Sequence, residues 1–170
     1  MISDYWRAEP CTCRLQPCRQ IPSWHILTPV LRKEKIMHDL VKRINDPKLC
    51  YVFAKNAIER GHPELALQSY RRAVDLRTEQ HKTHSEAESA AVRAIYAYEE
   101  ALSYNKGKRT RATGTWQLVN RKGIFSALAM RNESSATEEV MPALKDLGME
   151  DYSFAAVIKA YPQSFMSVAA

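Results

Sequence analysis

Ser85-Glu-Ala-Glu-Ser-Ala-Ala-Val-Arg-Ala-Ile-Tyr-Ala-Tyr-Glu-Glu-Ala-Leu-Ser-Tyr-Asn-Lys-Gly107 is the stretch whose reading decides the fold. Ser85 and Glu88 stand at the spacing of a capping box, in which each side chain satisfies a free backbone donor of the other. Ala87, Ala91, Ala94, Ile95, Tyr98, Ala101 and Leu102 then recur at three- and four-residue intervals. That period keeps them on one face of a helix for about five turns. Gly107 closes the helix, because glycine adopts a left-handed cap without steric cost. Glu99 and Glu100 are adjacent, so they point about 100° apart and do not form a facing carboxylate pair.

The same signals extend in both directions. Upstream, Ile36, Leu40, Val41 and Ile44 predict a short helix ending at Asn45. Asp46 caps a second helix with Pro47 in its first turn, and Leu49, Cys50, Phe53, Ala54, Ala57 and Ile58 form its apolar face. Gly61 ends it, and His62-Pro63 restarts the chain into a third helix bearing Ala66, Tyr70, Ala73 and Val74. So short a hinge predicts an antiparallel hairpin. Downstream, Thr115 caps a short helix with Trp116, Leu118 and Val119, which Gly123 ends. Ile124, Phe125, Leu128 and Met130 predict another helical piece, and Asn132-Glu-Ser-Ser a loop. Val140, Leu144 and Leu147 lie on a helix closed by Gly148. Asp151 caps the last helix, in which Phe154, Val157 and Ile158 face inward until Pro162 breaks it. No stretch alternates with period two, so the expectation is all-α: a compact bundle of six to seven short-to-medium helices.

The first 33 residues follow a different rule. Pro10, Pro17, Pro22 and Pro29 are four of the eight prolines in the chain, and no helical or strand period survives between them. Residues 1–33 are therefore expected to form an irregular or disordered arm before a single helical domain at 34–170. Cys11, Cys13, Cys18 and His25 lie in this arm, but Cys-x-Cys is tighter than the usual zinc knuckle and no second pair follows. Cys50, alone on a helix face, reads as a small core residue.

Composition narrows the class. A chain of 170 residues, 45% hydrophobic and 26% charged, is long enough to bury a core, and it contains no apolar run of membrane-spanning length. Asp4, Arg7, Glu9, Arg14 and Arg19 interrupt the apolar run that a secretory signal needs. A cytoplasmic location with reduced cysteines is the expectation. His81, His84 and Glu88 could share a helix face only if the helix began at His81, which the capping box at Ser85 argues against. There is no Gly-rich phosphate loop, no Ser/His/Asp arrangement and no activated cysteine, so no catalytic residue, metal or cofactor is assigned and no motif argues for an enzyme.

Charge carries the functional signal. From Asn105 to Lys122 the chain has six cations and no acid, equal to its whole net charge of +6. Such a cluster in an otherwise balanced protein points to a polyanionic partner. Lys106, Lys108, Arg109 and Arg111 can pair with phosphate oxygens, and Thr115 can add a neutral donor at the next helix start. In a helix-turn-helix reading, Gln117, Asn120 and Arg121 share one face of the following helix, with Lys122 beside them. Gln and Asn can contact adenine and Arg guanine, which favours DNA over RNA. Tyr104 and Trp116 flank the loop and are candidates for base stacking, whereas Tyr70, Tyr96 and Tyr98 fit a core. The same residues also fit a solvated basic loop, or one facing an acidic protein, with Trp116 packed inward. A rival class is a protein-interaction module on the helices at 47–104, binding a protein partner or a second copy of itself.

Two resemblances accompany these readings. The hairpin at 47–78 resembles a single tetratricopeptide repeat, with Gly61, Ala66, Tyr70, Ala73 and Leu76 at the turn and packing positions. One step of 34 residues on, Glu100, Gly107 and Thr110 occupy the slots of Ala66, Ala73 and Leu76, so the pattern does not repeat. The stretch from Tyr98-Glu-Glu-Ala-Leu through Gly107-Lys-Arg-Thr-Arg-Ala-Thr-Gly-Thr-Trp-Gln117, with Leu147-Gly-Met-Glu-Asp151, is similar to uncharacterised helical bacterial proteins over roughly residues 45–165. That likeness implies a bacterial helical domain and no activity.

Overall fold

The computed structural model describes residues 39–166, and these are all-helical, with no strand among them. The arm at 1–33, its three cysteines and His25, and the first three residues, 36–38, of the helix expected from Ile36 to Asn45 lie outside the described residues. Residues 39–42 are helical.

Helix α1 spans Pro47–Glu59 and begins as its sequence predicts. Asp46 accepts a hydrogen bond from the Lys48 amide at 2.9 Å, and Pro47 occupies the first turn, where its missing N–H costs nothing. Helix α2, Pro63–Glu79, folds back on α1 as the expected hairpin. Cys50 is fully buried between them with Ala73 and Leu76.

Helix α3, Glu86–Lys106, has 21 residues, about 31 Å of helix, and is the axis of the fold. Ser85 accepts from the Glu88 amide at 3.1 Å, but Glu88 answers to the His84 amide at 2.7 Å rather than to Ser85. The capping box is thus displaced by one residue on its return arm. Burial on α3 exceeds the single predicted face: Val92, Ala97, Glu99 and Glu100 are also buried. α2 packs on one side of α3, while the helices after residue 123 cover the others. The run of alanines permits this, since small side chains let neighbouring backbones approach from several directions.

After α3 come α4 (Thr113–Lys122), α5 (Ile124–Asn132), α6 (Ser135–Glu138), α7 (Met141–Asp146), a 3₁₀ turn at Glu150–Tyr152, α8 (Phe154–Ala160) and α9 (Pro162–Met166). Nine helices among the described residues exceed the six to seven expected, because the acidic segment after residue 132 breaks into short pieces. Asp151 does not cap α8. Ser153 does, accepting from the Ala156 amide at 3.3 Å, while Asp151 sits in the 3₁₀ turn and pairs with Arg71. Pro162 does not simply end the last helix either; it opens α9, as proline in a first turn can.

The main core gathers around α3: Val74, Ile95, Tyr98, Leu128, Leu144, Met149 and Phe154 are buried together, with the Tyr98 and Phe154 rings 5.2 Å apart. Arg71 ties α2 to the turn at 148–152. Its guanidinium donates to the Gly148 carbonyl at 2.9 Å, pairs with Asp151 and lies 4.5 Å over the Tyr152 ring. No helix among the described residues is long and apolar enough to cross a membrane.

Candidate functional site

The basic segment leaves α3 at Gly107, whose φ of 62° is left-handed and reverses the chain as its sequence position predicts. Two residues of α3 then hold the segment in place. Ser103 accepts from the Thr110 amide at 2.9 Å and donates to the Glu99 carbonyl at 2.7 Å. Glu99 Oε1 accepts from the Ala112 amide at 3.1 Å and from Trp116 Nε1 at 2.8 Å. The loop is therefore bound by its backbone, which leaves its charged side chains outward.

Beneath it lies a buried ionic knot. Arg77 of α2 reaches α3 with both terminal nitrogens, pairing with Glu99 through Nη2 and with Glu100 Oε1 at 2.9 Å through Nη1. Tyr51 of α1 donates a short hydrogen bond to the same Glu100 oxygen. Their side chains are 16%, 3% and 10% exposed for Arg77, Glu99 and Glu100. Glu99 and Glu100 do diverge on their helix, but one bidentate guanidinium collects both, a geometry Lys could not supply. Arg77 also lies 4.2 Å over the Tyr96 ring, and Tyr96, His81 and Trp116 form an aromatic cluster beside it, with His81 stacked on Trp116 at 5.5 Å.

Burial raises the Glu100 carboxyl above the usual carboxylate range, although Tyr51, Arg77 and Arg109 all oppose the shift. The consequence for stability has a definite sign. A folded state that holds the proton more tightly than the unfolded chain loses stability as pH rises from the ordinary carboxylate value through the raised one. Glu100→Gln removes that loss. Urea midpoints measured from pH 4 upward should move in favour of the variant as pH increases; parallel profiles would contradict it.

Lys106, Lys108, Arg109, Arg111, Gln117, Asn120, Arg121 and Lys122 are all exposed. Arg109 lies 5.2 Å over the Tyr51 ring, and Arg121 Nε donates to the Gln117 carbonyl at 3.4 Å. None of the six cations makes an ion pair among the described residues. Gln117, Asn120 and Arg121 share the outward side of α4. Arg121 and Lys122 end that ten-residue helix, about 15 Å along its axis from its start.

Thr115 is misplaced by the sequence reading. Helix α4 starts at Thr113 with Ala112 as its cap residue, and the Ala112 carbonyl accepts from the amides of Thr115 and Trp116 at 3.0 Å each. Thr115, in the first turn, is 2% exposed on the inward side it shares with Leu118 and Val119, so no ligand reaches its hydroxyl. Trp116 is half-buried and already engaged by Glu99 and His81, which removes it as a stacking surface. Tyr104 differs, being 55% exposed.

A cleft of about 440 Å³ opens beside the loop, between α1, α2 and α3. Tyr51, Tyr70, Tyr104 and Leu147 line it, Glu100 reaches its floor, and Lys48, Lys108 and Arg109 stand at its edge. Tyr51, Arg77, Glu99 and Glu100 are the residues the sequence did not mark as belonging together. Among the described residues no three His, Cys, Asp or Glu side chains come together to hold a metal ion. Compared with known proteins, the chain matches no family model, no curated protein and no solved structure.

Proposed function

We propose that this protein binds nucleic acid through the phosphates, with Lys106 at the end of α3 and Lys108, Arg109 and Arg111 of the loop as the primary contacts. One observation carries the proposal: six exposed cations that form no ion pair among the described residues, with Lys106 at the end of α3 and three more on the loop that Ser103 and Glu99 hold to it. Unpaired surface charge that the protein itself does not neutralise is available to a polyanion, and a fixed loop loses little conformational entropy on binding. Arg121 and Lys122, at the far end of α4, would meet phosphates further along the same ligand. Gln117 and Asn120 lie on the outward side of α4, where they can touch base edges of DNA.

Counterion release makes the proposal numerical. If about four cations contact duplex phosphates, log K falls against log salt with a slope of about −3 to −4. Arg109→Ala with Arg111→Ala should flatten that slope by about two, read by anisotropy of a labelled duplex across a salt series. Unchanged affinity and slope would refute it. Leu49 and Val52, 57% and 56% exposed on one side of α1, favour a second reading as a protein-interaction module. Under that reading the arginine variants bind their partner as the wild type does.

A further inference from the structure

We propose that the cleft beside the loop receives one unpaired base of a single-stranded nucleic acid, its flanking phosphate resting on Lys108, Arg109 and Lys48, a proposal that rests on the phosphate-binding reading above. The cleft's volume of about 440 Å³ lies within the range of small-molecule sites, about 300–1,000 Å³. Tyrosine rings from three helices face it, and the most accessible, Tyr104, stands four residues after Glu100 on the same face of α3. An exposed phenol ring beside a cationic edge is the combination that single-strand sites use, with stacking for the base and charge for the backbone.

The floor discriminates among occupants. Glu100 lines the cleft; its Oε1 is taken by Tyr51 and Arg77, whereas its Oε2 makes no hydrogen bond among the described residues. A carboxylate oxygen there accepts an N–H, and every nucleobase offers one on its pairing edge. It repels a phosphate placed at the same depth, so the phosphate stays at the edge, where the cations are. A phosphotyrosine side chain would put its phosphate deepest and has no N–H to give, so the floor suits it poorly. A paired base has both faces stacked and its edge engaged, and therefore cannot enter. The proposed ligand is single-stranded.

The test uses the full chain and labelled oligonucleotides of about 12 nucleotides, single-stranded and as the matching duplex, in a length range that suits one such site. Tyr104→Ala should weaken single-strand binding about 5- to 100-fold while Tyr104→Phe retains it, and neither should alter duplex affinity or the salt slope. Tyr104 is exposed, so neither change disturbs the core. If Tyr104→Ala binds the single strand as tightly as the wild type while Arg109→Ala with Arg111→Ala weakens it, the base site is wrong and the phosphate reading stands. If no oligonucleotide binds with a salt dependence, both fall. Adenosine monophosphate and a phosphotyrosine peptide serve as competitors. Displacement by the nucleotide at concentrations where the strand itself binds would reassign the cleft to free nucleotides, and displacement by the peptide alone would reassign it to proteins.

Discussion

Arg77→Ala should lower folding stability by about 3–5 kcal/mol, the largest effect expected of any single change at the site. Arg77 is the only cation paired with Glu99 or Glu100 among the described residues, and both carboxylates are nine-tenths buried or more. Removing the guanidinium leaves two like charges in a low-dielectric pocket with only neutral donors: Tyr51 for Glu100, and the Ala112 amide and Trp116 for Glu99. Such cost comes from stranding charge and not from the worth of the pair itself. The triple substitution Arg77→Met, Glu99→Leu, Glu100→Leu should therefore recover most of the loss. Urea denaturation followed by far-UV circular dichroism measures both. A loss under 1 kcal/mol in Arg77→Ala would mean that water or rearrangement already screens the knot.

Glu99→Ala should cost about 2–4 kcal/mol and, unlike Arg77→Ala, should free the basic loop directly. Two donors lose their acceptor at once, the buried Ala112 amide and the part-buried Trp116 Nε1, and an unsatisfied buried donor costs about 1–3 kcal/mol. Arg77 keeps Glu100, so no buried cation is left alone. The signature is local: faster amide exchange at Ala112 and a shifted Trp116 emission, which a uniform loss of stability below the transition would not produce. Oligonucleotide affinity should fall with little change in salt slope, because the cations remain while the entropy of ordering the loop is added to binding. A reduced slope would mean that Glu99 positions the cations themselves. Combining Arg77→Ala with Glu99→Ala should be less costly than the sum of the two, since each removes a partner of the other.

The helices that were legible are those whose ends are set by neighbours in the chain. Asp46 and Pro47 begin α1, Ser85 begins α3, and Gly107, at φ 62°, closes it. The places where the sequence misled are those where a distant group engaged the residues at a helix start. Glu99 holds the Ala112 amide, just before α4, from thirteen residues away, and Thr115 is buried in the first turn instead of capping it. Arg71 engages Asp151 from α2, and Ser153 caps α8 in its place.

The candidate site divides along the same line. The six cations between Lys106 and Lys122 and the absence of any acid among them are properties of the chain alone, as is the all-helical pattern around them. Local capping and apolar spacing act over three or four residues, a range that sequence displays directly. What only the tertiary structure decided is that Arg77 draws Glu99 and Glu100 together, that Tyr51, Tyr70 and Tyr104 meet at one cleft, and that the loop is fixed above them. Those contacts join residues 13 to 53 positions apart. Their energy comes from desolvation and packing between helices, which no local spacing encodes.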